Sequence, residues 1–146
     1  MTMKEIQREI LDNMKKWQKV ESKSVSNTAQ VMQKTDHPII QLIMEIIQRD
    51  SQMHRHIQGW IAHSLERKAI TLSPDDMVEI WTTVEQHMDL EKQMLENVRK
   101  QLSRIEGKNI LLVQQYLLKY LADDETKHNN LLGYLENVKK GMRDSG

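Results

Sequence analysis

Carboxylates and imidazoles recur along this chain at spacings that place two metal-ligand types on one helix face. Asp50 and His54 are four residues apart, as are His87 and Glu91, while Glu125 precedes His128 by three. At 3.6 residues per turn, each pair projects from a single side of a helix. Carboxylate oxygens and neutral imidazole nitrogens are ligands for Fe, Mn or Zn. Glu21 adds a further acid near the N-terminus. The absence of Cys excludes disulfides, thiolate metal sites and cysteine catalysis.

Helices must position these groups. Gly and Pro are scarce, and Met, Gln, Glu, Lys and Leu, all good helix formers, dominate. Three punctuation points divide the chain. Thr35-Asp36-His37-Pro38 offers a cap followed by Pro. Ser73-Pro74-Asp75-Asp76 offers a stronger cap, with two acids at the positive end of a helix dipole, and Glu106-Gly107-Lys108-Asn109 a stop and a new cap. Lys139-Lys140-Gly141 closes the last helix in the same way. The predicted helices are A (3–34), B (38–69), C (74–105) and D (109–140), each with one apolar stripe. Helices of similar length joined by short links predict an all-α, single-domain, up-down-up-down antiparallel four-helix bundle over residues 1–146.

Polar residues interrupt these stripes at one level. Asp50 and His54 fall between Ile47 and Ile57, and Glu91 falls between Val84 and Val98 with His87 on its flank. His128 is central in helix D between Asp124 and Glu125, and Glu21 lies near the stripe of helix A with Ser24 one turn on. Glu45, His56, His63, Glu85 and Asp89 point outward by the same rotation. Glu21, His54, His87, Glu91 and Glu125 lie 15 to 18 residues from the turns centred on Asp36, Thr71 and Gly107. In an up-down bundle they would share one slab of the core. Buried carboxylates are costly unless they are paired or bound to metal, and no Lys or Arg lies on the stripes at that height. Each histidine alone also reads as a hydrogen-bonded core residue, and each acid as half of an ion pair. Their coincidence on four helices favours a metal site made of Glu21, Asp50, His54, His87, Glu91, Glu125 and His128.

Glu125-Thr126-Lys127-His128, with single Glu residues at 21 and 91, resembles the ferritin-like, rubrerythrin-like di-metal carboxylate bundles. The resemblance implies a dinuclear Fe or Mn centre and oxygen or peroxide redox chemistry, or metal binding and storage. Ser51-Gln52-Met53-His54 departs from the second Glu-x-x-His motif, leaving Asp50 as the replacement acid and His87 as an extra ligand. The short link from Ala69 to Asp75 cannot span a bundle's length; that topology, with its His-x-x-x-Glu pair, is closer to hemerythrin-like bundles.

Charge and hydropathy narrow the alternatives. Acidic and basic residues balance at 21 each, which argues against a nucleic-acid partner. The longest apolar run, 39–47, contains Gln41 and Glu45 and is too short to span a membrane. A soluble, cytoplasmic protein that self-associates is expected. The competing expectation is a non-enzymatic helical scaffold or interaction module whose polar core layer sets register.

Overall fold

The computed structural model describes residues 1–67, 70 and 72–145, with side chains through residue 140. The end of helix B at Ala69 and the turn centre at Thr71 lie outside the described residues. Five helices follow in order: α1 (Met3–Gln33), α2 (Pro38–Glu66), α3 (Pro74–Val78), α4 (Trp81–Ile105) and α5 (Leu112–Ser145). There is no strand among the described residues, so the protein is all-helical. None of its described helices is long and apolar enough to cross a membrane. The chain divides into two compact units, Met1–Thr71 and Leu72–Gly146.

In the first unit, α1 and α2 form a helical hairpin. Thr2 starts α1 with a reciprocal cap: its hydroxyl accepts from the Glu5 N–H, and the Glu5 carboxylate accepts from the Thr2 N–H. The α2 cap is His37, whose Nδ1 accepts from the Ile39 N–H at 3.2 Å, with Pro38 following as the first helical residue. The hairpin closes on small and amide side chains. Ser24 and Ser51 share a 2.7 Å hydroxyl hydrogen bond, and Thr28, Ser51, Ala62 and Met14 are buried. Three glutamine amides donate to backbone carbonyls of the neighbouring segment: Gln18 to Arg55, Gln48 to Val25, and Gln41 to Met32 and Thr35. A made hydrogen bond of this kind contributes about 1 kcal/mol net. The apolar stripe lies elsewhere on α2, and Ile47, Ile57 and Ile61 stay exposed.

In the second unit, Ser73 caps α3 by donating both its N–H and its hydroxyl to the Asp76 carboxylate. These two bonds hold Asp76 below the usual carboxylate range. The predicted helix C is interrupted at Glu79-Ile80, where the Ile80 N–H reaches back three residues to Met77 before α4 begins. Helix α5 starts at Leu112 rather than Asn109. Gly107 (φ 78°) and Leu111 (φ 51°) turn through left-handed conformations, and the Gln115 amide ties down the Lys108 and Ile110 carbonyls. At the other end Gly141 does not stop the helix, which continues to Ser145. Helices α4 and α5 pack together, with α3 against α5. The buried apolar residues are Met77, Trp81, Val98, Leu102 and Ala122, and Met77 is only 1% exposed. The Trp81 indole donates to Glu85 at 2.6 Å, and the Lys139 ammonium lies 4.2 Å above the Trp81 ring.

Candidate metal centre

Between α4 and α5, the second unit gathers four of the seven expected site residues. Glu91 is buried and stands at the centre. One carboxylate oxygen, Oε1, meets His87 Nε2 at 2.9 Å, one helical turn away. The other, Oε2, meets His128 Nδ1 across the helix pair at 3.3 Å. Glu125, one turn before His128, brings its Oε2 to 3.8 Å from the same Nδ1. One ligand atom each from Glu91, Glu125 and His128 can be chosen so that all lie within 4.8 Å of one another. His87 stays outside that group and holds the far oxygen of Glu91.

A supporting layer surrounds the three. The Asp124 carboxylate lies 3.4 Å from His128 Nε2, leaving Nδ1 to face the two glutamates. Asp124 also pairs with Lys127 at 2.7 Å; Asp124 and Glu125, which flank His128 around the helix, thus both lie against its ring, one on each nitrogen. Asn129 donates its amide to the backbone carbonyls of Glu125 and Glu91, at 2.8 and 3.3 Å. This clamp fixes the register of α5 against α4 at the level of the ligands.

The electrostatics separate the two glutamates. Contact with the Glu91 carboxyl, then burial and the Glu91 charge, push Glu125 above the usual carboxylate range. The same carboxyl–carboxyl contact, followed by His128 and His87, holds Glu91 below it against the opposing effect of burial. With a proton on Glu125 the two carboxyls can hydrogen-bond; with both ionised they repel. Glu125 Oε2 is buried and lacks a hydrogen-bond partner. Among the described residues, Gln58 Oε1 in the first unit is the other buried side-chain atom in that condition.

The remaining three expected ligands lie in the first unit. Glu21 and His54 face each other across the hairpin, with Oε1 and Nδ1 3.5 Å apart. Asp50 is half-buried one turn before His54 and makes no hydrogen bond or ion pair among the described residues. Of the residues expected to point outward, His56, His63, Glu85 and Asp89 are exposed, and Glu45 is half-buried beside Arg49 at 2.7 Å. Asn129 was not singled out by the sequence, although its place four residues after Glu125 puts it on the same face of α5. No family model matches the chain, and comparison with curated proteins and solved structures returns no match.

Proposed function

We propose that this protein binds a divalent metal ion, with Glu91, Glu125 and His128 as the anchoring ligands. The observation that carries this reading is the orphaned Glu125 Oε2, a buried carboxylate oxygen beside a second carboxylate and an imidazole nitrogen. A buried acceptor without a donor costs about 1–3 kcal/mol, and more when charged. A cation would satisfy that oxygen and remove the repulsion from Glu91 in one step. Two carboxylate oxygens with one imidazole nitrogen suit Fe(II), Mn(II) or Zn(II). His87 would orient Glu91, Asp124 would orient His128, and Asn129 would hold the two helices in register.

The wider form of the proposal is a four-helix bundle in which Glu21, Asp50 and His54 complete a dinuclear Fe or Mn centre. Its support is the sequence register and the resemblance to ferritin-like bundles. When bound, such a metal pair would supply oxygen or peroxide redox chemistry, or the protein would store metal. A cytoplasmic setting and self-association belong to the same reading, and the exposed apolar stripes support the latter.

Elemental analysis of protein purified without chelator, followed by Mn(II) titration monitored by nuclear magnetic resonance, tests both forms. Stoichiometric metal with paramagnetic broadening at His128 and His87 supports the narrow form. Broadening that extends to His54 and Glu21 supports the wide one. Metal-free protein with no broadening refutes both. It would favour a helical scaffold instead, a reading supported by the fact that both oxygens of Glu91 already have imidazole partners.

A further inference from the structure

A second, chemically different concavity lies in the first unit, on the side of α2 away from its apolar stripe. It is an open hollow of about 600 Å³, roughly twice the volume of the one beside His87 and His128, and its volume falls in the range of small-molecule sites. One wall is a ring stack on a single face of α2. His56 and Trp60 lie with centroids 6.4 Å apart and planes inclined at 30°, and His63 meets Trp60 edge-on at 6.4 Å. The Trp60 N–H donates to His56 Nε2 at 2.8 Å, which locks the two rings together. Because Nε2 accepts, neutral His56 carries its proton on Nδ1. Trp60 is nonetheless 55% exposed, leaving ring surface open to a ligand.

The floor is Gly59, where a Cβ would lie 3.1 Å from the Gln18 amide nitrogen. That close approach of α1 shapes the concavity. The rim is rich in hydrogen-bond donors and, among the described residues, holds no carboxylate. Arg55 and Gln52 line it together with the imidazoles, and the Arg55 guanidinium has no ion-pair partner among the described residues. Glu66, the acid nearest His63 in sequence, is occupied by Lys15 at 2.5 Å. Preformed aromatic surface combined with an unpaired forked cation is complementary to a planar ring bearing a carboxylate. The locked ring pair would lose little rotamer freedom on binding.

We propose that this concavity is a binding site for a small aromatic carboxylate, stacked on Trp60 with its carboxylate on Arg55. The proposal is independent of the metal reading. It is tested on the full chain with naphthoate as probe and the uncharged naphthylmethanol as control, using calorimetry and the Trp60 indole resonance. The expected result is saturable naphthoate binding that shifts the Trp60 N–H signal. Arg55→Gln should weaken naphthoate binding by about tenfold and leave naphthylmethanol unchanged, while Trp60→Leu should weaken both. Both positions are exposed on a helix, and matching circular dichroism spectra would show that the variants fold. The proposal is overturned if naphthoate does not bind, if Arg55→Gln binds it as wild type does, or if the shifts fall on Ile57 and Ile61 of the apolar stripe instead of Trp60.

Discussion

Glu125→Gln should change the protein's stability in opposite directions with and without metal. In the metal-free protein, ligand oxygens of Glu91 and Glu125 lie within 4.8 Å of each other in a largely buried setting. Two unit charges at that separation repel by about 3.5 kcal/mol at an effective dielectric of ~20. The neighbouring His87 and His128 imidazoles offset part of this, leaving roughly 1 kcal/mol for the substitution to recover. Glutamine keeps the shape of the side chain, removes one charge and can donate its amide to Glu91. A gain of that size raises the melting temperature by about 3–5 °C in a chain of this length.

The pH dependence fixes the sign. The folded pKa of Glu125 is raised above the ordinary 4.5. Its contribution to stability is therefore full below about that pH and is lost as pH rises through the raised value. Glu91 is lowered, so its contribution is present above 4.5 and lost as pH falls through the lowered value. The advantage of Glu125→Gln over wild type should consequently widen from acidic to neutral pH in the presence of chelator. Zn(II), which is redox-inert, should reverse the order. Wild type gains about 2.7 kcal/mol at a metal concentration one hundred times Kd, whereas the variant, short of one ligand, gains far less. Calorimetric melting of both proteins with chelator and with Zn(II) provides the measurement. A variant less stable than wild type in chelator, or equal stabilisation of both by Zn(II), would refute the assignment of Glu125 as a ligand held in a strained carboxyl pair.

Other substitutions test the scaffold around the site. Ser24→Ala should cost about 1–2 kcal/mol in urea unfolding by stranding the Ser51 hydroxyl, and adding Ser51→Ala should return part of that loss. Met77→Ala, at the most buried side chain among the described residues of the second unit, should cost about 2–4 kcal/mol and lower the denaturation midpoint. Gly133→Ala should stabilise α5 by about 0.5–1 kcal/mol, because a Cβ there meets no atom within 4 Å. Asn129→Ala should weaken Zn(II) binding by about tenfold in a competitive chelator titration, since its amide clamps the helices at the ligands.

Helix existence was legible because it is written in strong local signals. Pro38, Ser73-Pro74 and Gly107 each act within a turn, and no tertiary contact overrode them. The fine boundaries were not. Asn109 is a good cap in isolation, but the Gln115 side chain captures the loop carbonyls and delays α5 to Leu112. Gly141 is tolerated inside α5 because a glycine only weakens a helix. The i, i+3 and i, i+4 pairs were legible for the same geometric reason as the helices, and His87 with Glu91 and Glu125 beside His128 follow directly from it. Asn129 escaped notice because an amide that clamps backbone has no charge or period to mark it. The α1–α2 seam escaped for a related reason. Periodicity finds Ile47, Ile57 and Ile61, whereas the helices meet on Ser24, Thr28, Ser51 and the glutamines.

That offset between seam and stripe bears on the metal proposal. Hairpin closure leaves Ile47, Ile57 and Ile61 exposed, and the same stripe carries Asp50 and His54 in its middle. Exposed apolar surface of this extent favours coverage. Coverage would also bury Asp50, which has no hydrogen-bond or ion-pair partner among the described residues, and an unpaired buried carboxylate opposes it. On the proposed reading, a cation that ligates Asp50 and His54 removes this opposition, so metal binding and burial of the stripe become one coupled equilibrium. Metal should then protect the amides of α2 from hydrogen exchange as well as those of α4 and α5. Protection confined to α4 and α5 would leave the three-residue cluster as the whole of the site and remove Asp50 and His54 from it.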